Sequence, residues 1–209
     1  MDNRAVALML VAAYWTSGTP YAEEARRLRE TCLAHRCIPD IRERPHPGSW
    51  RKAQALSASV ILDVRRDHPG VPFIYVDADA RIMAPLDEAQ TWAIAGYDAA
   101  FYWFDSPNRS PDGTGLELCS GTTWWNDTPG ANELLNAWVA ACALPETADL
   151  LRGGDQEALQ LLVNARPSLH LKRLPHEWCW MDRMSEARYG PRQPVIWHGQ
   201  ASRRYKRVV

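Results

Sequence analysis

The chain has 209 residues, with 24 Lys and Arg against 25 Asp and Glu, for a formal net charge of −1. That is the length of one well-buried domain and short for a second catalytic one. An apolar fraction of 46% with 23% charged residues excludes a disordered, collagenous or coiled-coil chain. The balanced charge excludes a global pull towards nucleic acid or anionic membrane and leaves only a local basic patch for either.

The apolar run from Ala5 to Thr16, closed by Ser17-Gly18-Thr19-Pro20, reads as a buried parallel strand entering a loop. Its apolar core is too short to cross a bilayer, and the start lacks the basic region and cleavage site of a signal peptide. Thr19 is placed to cap a helix with Pro20 at its first position, and Tyr21, Ala25, Leu28 and Cys32 recur on one helical face. A short strand follows near Cys37 to Arg42. Ser49 then caps a helix with Ala53, Leu56, Val60 and Val64 inward, ended by Asp67-His68-Pro69-Gly70.

Phe73-Ile74-Tyr75-Val76 is an unbroken β-favouring run that meets Asp77-Ala78-Asp79 at its C-terminal end, where open α/β sheets place their ligands. Further strands are expected at Ala99 to Phe104, Ser120 to Trp125, Ser168 to Leu174 and Pro194 to His198, with helices at Pro129 to Cys142 and Gln156 to Asn164. The Pro/Gly/Asn-rich stretch Asp105 to Gly115 reads as a loop. The expectation is one α/β domain, a mixed and mostly parallel sheet flanked by helices, with a ligand-binding half over about 1–82 and a second half over about 83–209. Five cysteines, Cys32, Cys37, Cys119, Cys142 and Cys179, contain no CxxC pair. They fit neither a disulfide framework nor a four-Cys zinc site, and read as reduced thiols of a cytoplasmic protein with no membrane span.

Two carboxylates one residue apart at a strand end are both driven towards solvent. A hard cation such as Mn2+ or Mg2+ takes few protein oxygens and fills its other positions with water or phosphate, so Asp77 and Asp79 suit a metal gripping a diphosphate. The competing assignment is one Asp capping a turn and the other solvated. Haloacid-dehalogenase-like phosphohydrolases also carry DxD after an apolar strand. They want Thr or Val where this chain has Arg81, and the strand lies well inside the chain. The ten Trp are a surplus that suits flat faces such as sugars and bases. Of the adjacent Trp124 and Trp125, strand alternation allows only one to face a ligand.

Four segments together, Phe73 to Arg81, Ser120-Gly121-Thr122, Gly154-Asp155-Gln156 and Trp197-His198-Gly199, resemble in order and spacing the metal-dependent glycosyltransferases of the GT-A fold. The resemblance spans nearly the whole chain. It implies that His198 joins Asp77 and Asp79 on the metal, and that the donor is a nucleotide-sugar, with UDP-sugars expected. It places the nucleobase and ribose beside Tyr14, Trp15 and Thr16, and a donor-binding cation at Arg51 or Lys52. Ser120 and Gly121 then line the donor sugar. Asp155, which by itself reads as a helix N-cap, would bind sugar hydroxyls or take the acceptor proton, and Asp79 joins it as a catalytic residue. Arg203 and Lys206, in a tail of cations with no acid, would neutralise the departing diphosphate. The Asp-Gln segment and the late His look most like the retaining, glycogenin-like families. Two acceptor classes follow: a glycan or small molecule, and a hydroxymethylated pyrimidine in phage DNA. A non-catalytic sugar-nucleotide binding module is the alternative outside enzymes.

Overall fold

The computed structural model describes residues 8–106, 113–144 and 154–205. In chain order these form β1 (Leu10–Thr16), α1 (Tyr21–Ala34), β2 (Ile38–Arg44), α2 (Trp50–Gln54), α3 (Leu56–Asp67), β3 (Phe73–Val76), β4 (Ala80–Ile82) and α4 (Glu88–Ile94). β5 (Ala99–Asp105), β6 (Leu116–Trp125), α5 (Pro129–Ala143), α6 (Asp155–Asn164), β7 (Leu171–Arg173), a 3-10 turn (His176–Cys179), α7 (Asp182–Tyr189), β8 (Ile196–His198) and α8 (Ala201–Tyr205) follow. Among the described residues a 6-stranded sheet runs in the order β2-β1-β3-β6-β5-β7. Its pairings are parallel except the two made by β6. The fold is thus α/β with a mixed, mostly parallel sheet, as expected.

Residue alternation along the strands divides the core. Val11, Ile74, Val76 and Trp124 point to the side covered by α1, α4 and the 3-10 turn, where they meet Leu28, Trp92 and Trp178. Leu10, Phe73, Tyr75 and Trp125 point to the side of α3, α5 and α6, where they meet Ile61, Trp138 and Leu159. Trp124 and Trp125 are 0% and 1% exposed, so neither is available to a sugar. Both are core, one on each face, because helices cover both sides of the sheet.

Other expectations need correction. The Thr19 hydroxyl donates back to the Thr16 carbonyl at 2.6 Å and does not cap α1, which has no side-chain cap. Ser49 does accept the Lys52 N–H at 3.3 Å, but the helix breaks at Ala55 into α2 and α3. The late strand pairs outside the main sheet, with β4, in a separate two-stranded antiparallel sheet. β4, α4, α7 and α8 were not expected. Part of the expected loop, 107–112, and the start of the expected first strand, 1–7, lie outside the described residues.

β6 outruns β3. Their ladder stops at Val76 opposite Thr122, which would leave the earlier part of β6 with an open edge. Two glutamines four residues apart on α6 fill it. Leu118 donates to Gln160 Oε1 and Gln160 Nε2 donates to the Leu116 carbonyl, each at 2.9 Å, and Ser120 donates to Gln156 Oε1 at 3.1 Å. On the opposite edge, Phe101 pairs with Thr123 while Tyr102 pairs with Cys119, so Ser120-Gly121-Thr122 bulge out of the β5 ladder beside the end of β3. Replacing the fully buried Gln160 by Leu strands an N–H and a carbonyl, at a cost of about 2 kcal/mol. The expected fall in Tm is about 4–8 °C for a chain of this size, read by circular dichroism.

Candidate active site

The turn that leaves β3 closes when Ala80 N–H donates to the Asp77 carbonyl at 2.9 Å, and the chain enters β4 at once. β4 pairs with β8 in the register Ala80 opposite His198. That register delivers an imidazole from near the end of the chain to the DxD turn. Ligand atoms of Asp77, Asp79 and His198 all lie within 4.8 Å of one another. His198 Nδ1 stands 3.9 Å from Asp79 Oδ1, and its Nε2 is 2.7 Å from the Thr122 hydroxyl. Asp79 Oδ2 accepts the Ala201 N–H at 2.6 Å, which fixes the carboxylate and leaves Oδ1 facing the imidazole.

Two carboxylates and one imidazole form a donor set suited to a divalent cation with open positions. The surrounding backbone is fitted to it. A Cβ on Gly121 would stand 2.8 Å from Asp77 Oδ2 and 3.7 Å from His198 Cε1, so only glycine leaves the Asp77 carboxylate where it is. The charges are strained without a cation. Burial and the Asp79 charge push the Asp77 carboxyl up to about 7. Burial also works to raise Asp79, but His198, the Ala201 N–H and the Arg81 cation outweigh it and hold Asp79 below the usual carboxylate range. Burial disfavours a charged His198, and the Cys179 sulfur and the Asp79 carboxylate reverse that and lift its pKa. Behind the turn, buried Glu24 of α1 pairs with Arg81 of β4 and accepts the Tyr205 hydroxyl at 3.0 Å.

Asp77 and Asp79 open into a cleft of about 470 Å3 that runs along the C-terminal ends of β1 and β3. Tyr14, Trp15 and Thr16 line it, with Tyr14 OH donating to the Ala53 carbonyl at 2.5 Å. Ser120, Gly121 and Asp155 line it as well. Asp155 is 6% exposed. Burial pushes it up to about 6 despite the Ser57 hydroxyl, which donates to its Oδ2 at 2.8 Å. Asp155 is the first residue of α6, after Gly154, and does not occupy the cap position itself. Arg51 lines the cleft, whereas its neighbour Lys52 is exposed outside it. Arg203 is exposed and lies against the Met184 sulfur at 2.8 Å, outside the lining, although Ser202 belongs to it. Lys206 lies outside the described residues.

Sequence reasoning missed several lining residues. Tyr21, counted on the packed face of α1, sits in the cleft with its ring 5.9 Å from Trp50 and 5.4 Å from Tyr205. Trp50 carried a signal, because it follows the Ser49 cap and opens the helix beside the expected nucleotide. Glu117 carried none, because the strand was expected to start at Ser120.

No family model matches the sequence, and no curated protein does. Solved structures match closely in shape. A glycosyltransferase involved in the glycosylation of the major capsid of PBCV-1 superposes with a TM-score of 0.73 at 12% identity, over 95% of this chain and 97% of that one. The chain has a glycosyltransferase fold. The glycosyltransferase GlyE of Streptococcus pneumoniae TIGR4 (TM-score 0.62, 13% identity) shares it over 91% of this chain and 54% of that one. The bifunctional glycosyltransferase WbbM (TM-score 0.58, 12% identity) shares it over 92% and 46%. In all three comparisons more than nine-tenths of this chain is matched. Among the described residues no helix is long and apolar enough to cross a membrane.

Because Asp77 is raised from 3.8 to about 7, its ionisation opposes folding, and the penalty grows as pH rises between those values. Asp77→Asn is expected to match the wild type in Tm near pH 4 and to exceed it by about 2–4 °C at pH 8 without metal. That rise corresponds to about 1 kcal/mol once solvent screening at the cleft is allowed for. Differential scanning fluorimetry at the two pH values checks it.

Proposed function

We propose that the chain is a metal-dependent glycosyltransferase that moves a sugar from a nucleotide-sugar, with UDP-sugars expected, to an acceptor hydroxyl. The observation that carries this is the convergence of Asp77, Asp79 and His198 beside a cleft lined by both carboxylates and by aromatic rings. Mn2+ or Mg2+ held by these three residues would supply Lewis-acid stabilisation of a diphosphate leaving group. The rings of Tyr14, Trp15, Tyr21 and Trp50 offer stacking faces for a nucleobase, and Arg51 offers a cation to the donor. Gly121 lets the sugar approach the backbone, and Ser120 and Asp155 offer hydrogen bonds to its hydroxyls. Arg203 and Lys206 keep their proposed part beside the departing diphosphate, with Lys52 as a further cation on α2. The solved structures of like shape are glycosyltransferases, which supports this reading over the phosphohydrolase alternative.

A specific observation bears on the acceptor. Residues 171–209 hold nine Lys and Arg against three acids, whereas 1–170 hold 15 against 22. Charge is therefore segregated towards the segment that carries β7, α7, β8 and α8. This favours a polyanionic acceptor, and hydroxymethylated DNA over a neutral glycan.

Asp79→Ala is expected to abolish Mn2+-dependent binding and turnover of UDP-glucose while leaving the far-ultraviolet circular dichroism spectrum intact, and EDTA is expected to do the same to the wild type. Isothermal titration and release of UDP check it, and full activity in Asp79→Ala would sink the metal site. On hydroxymethylated duplex DNA the wild type is expected to give a gel shift that weakens steeply between 50 and 200 mM salt, as phosphate contacts dictate. A salt-independent interaction with neutral glycan alone would reverse the choice of acceptor.

A further inference from the structure

Among the described residues the cleft is lined by four acids, Asp77, Asp79, Glu117 and Asp155, and by one cation, Arg51. A divalent ion would balance the first two. Asp155 already has partners, with Oδ2 accepting the Ser57 hydroxyl at 2.8 Å and the Ser120 hydroxyl at 3.5 Å, and its backbone carbonyl accepting the Trp138 indole N–H at 2.8 Å. That leaves Glu117 as the surplus carboxylate. Acids gathered on one cleft wall are costly to stability, and such costs concentrate at functional positions.

Glu117 is also held in place. Gln156 Oε1 is engaged by the Ser120 N–H at 3.1 Å, so its Nε2 must point the other way, and it donates to Glu117 Oε1 at 2.7 Å. One carboxylate oxygen is thereby anchored. Among the described residues the other, Oε2, makes no hydrogen bond. The strand that carries Glu117 also carries Ser120 and Gly121, three and four residues on, and all three line the cleft.

We infer that Glu117 is the general base of transfer, the group that takes the proton of the attacking hydroxyl, in place of Asp155, whose Oδ2 is held by the Ser57 hydroxyl. This rests on the glycosyltransferase reading above. The acceptor O–H bond breaks with its proton passing to Glu117 Oε2, and the acceptor oxygen forms a bond to the anomeric carbon. The bond from that carbon to the diphosphate breaks with its electron pair leaving on the nucleoside diphosphate. Gln156 is a positioning residue in this scheme, acting through Glu117.

The test uses the full chain with MnCl2, water as acceptor, and a panel of UDP- and GDP-linked glucose, galactose and N-acetylglucosamine. Release of nucleoside diphosphate is measured together with donor affinity from quenching of cleft tryptophan fluorescence. Glu117→Ala is expected to lose about 10²–10⁴-fold in turnover, to keep donor affinity within about threefold, a margin of under 1 kcal/mol, and to regain at least about tenfold with added formate. Glu117→Gln, which keeps the oxygen that Gln156 holds, covers the case of a misfolded Ala variant and is expected to show the same loss with an unchanged Tm. Wild-type turnover in either variant, or a loss that formate leaves untouched or that tracks lost donor binding, overturns the assignment to Glu117 alone. Donor binding without release by the wild type overturns transfer itself and Glu117 with it, while leaving a sugar-nucleotide site. No binding of any donor overturns the whole reading.

Discussion

Three residues of β4 pair with three of β8, and on that short ladder depends the meeting of groups separated by most of the chain. Without it the DxD turn would present two carboxylates to a cleft with no imidazole to accompany them. With it, Ala80 opposes His198, the next residues carry Ala201 onto Asp79, and α8 brings Tyr205 to the rim of the cleft against Tyr21. The Glu24–Arg81 pair fastens the same small sheet to α1. Its charges are enclosed, so the pair adds less net stability than its geometry suggests, and its use is to fix one arrangement of helix and strand.

The electrostatics of the turn follow from the neighbours of each carboxylate. Asp79 is stabilised as an anion by an N–H, an imidazole and a guanidinium, while Asp77 receives no comparable help and is left near neutrality in its proton affinity. A cation held there, as proposed, would displace the proton of Asp77. The fold tolerates the arrangement because the rest of the sheet is apolar on both faces, with Trp124 and Trp125 filling one side each.

Much of this was legible in the sequence. The Phe73–Val76 run and the carboxylates after it declared themselves through an unbroken β-branched and aromatic stretch ending in two acids, and Pro129 to Cys142 declared a helix by a capping Thr and a Pro at its start. The His198 partnership came from resemblance, because strands as short as β4 and β8 have no periodicity to read. Glu117 was hidden because β6 begins four residues earlier than its apolar stretch, and that extension is stabilised by side chains from a helix. The tryptophans misled in part. They are most often core here because a sheet covered on both faces needs bulk in two layers, and Trp15 and Trp50 reach the ligand side.

Gln156 and Gln160 run along β6 as a strand would, offering amide after amide to its edge. A side-chain amide differs from a peptide group in one respect: it ends where it is. It cannot hand the hydrogen-bond pattern on to another chain, so the sheet is sealed against strand addition and aggregation at the place where it must stay open to a ligand. The protein thereby closes this stretch of β6 to other β-edges with side chains, and Gln156, Ser120 and Glu117 remain as a polar wall of the cleft.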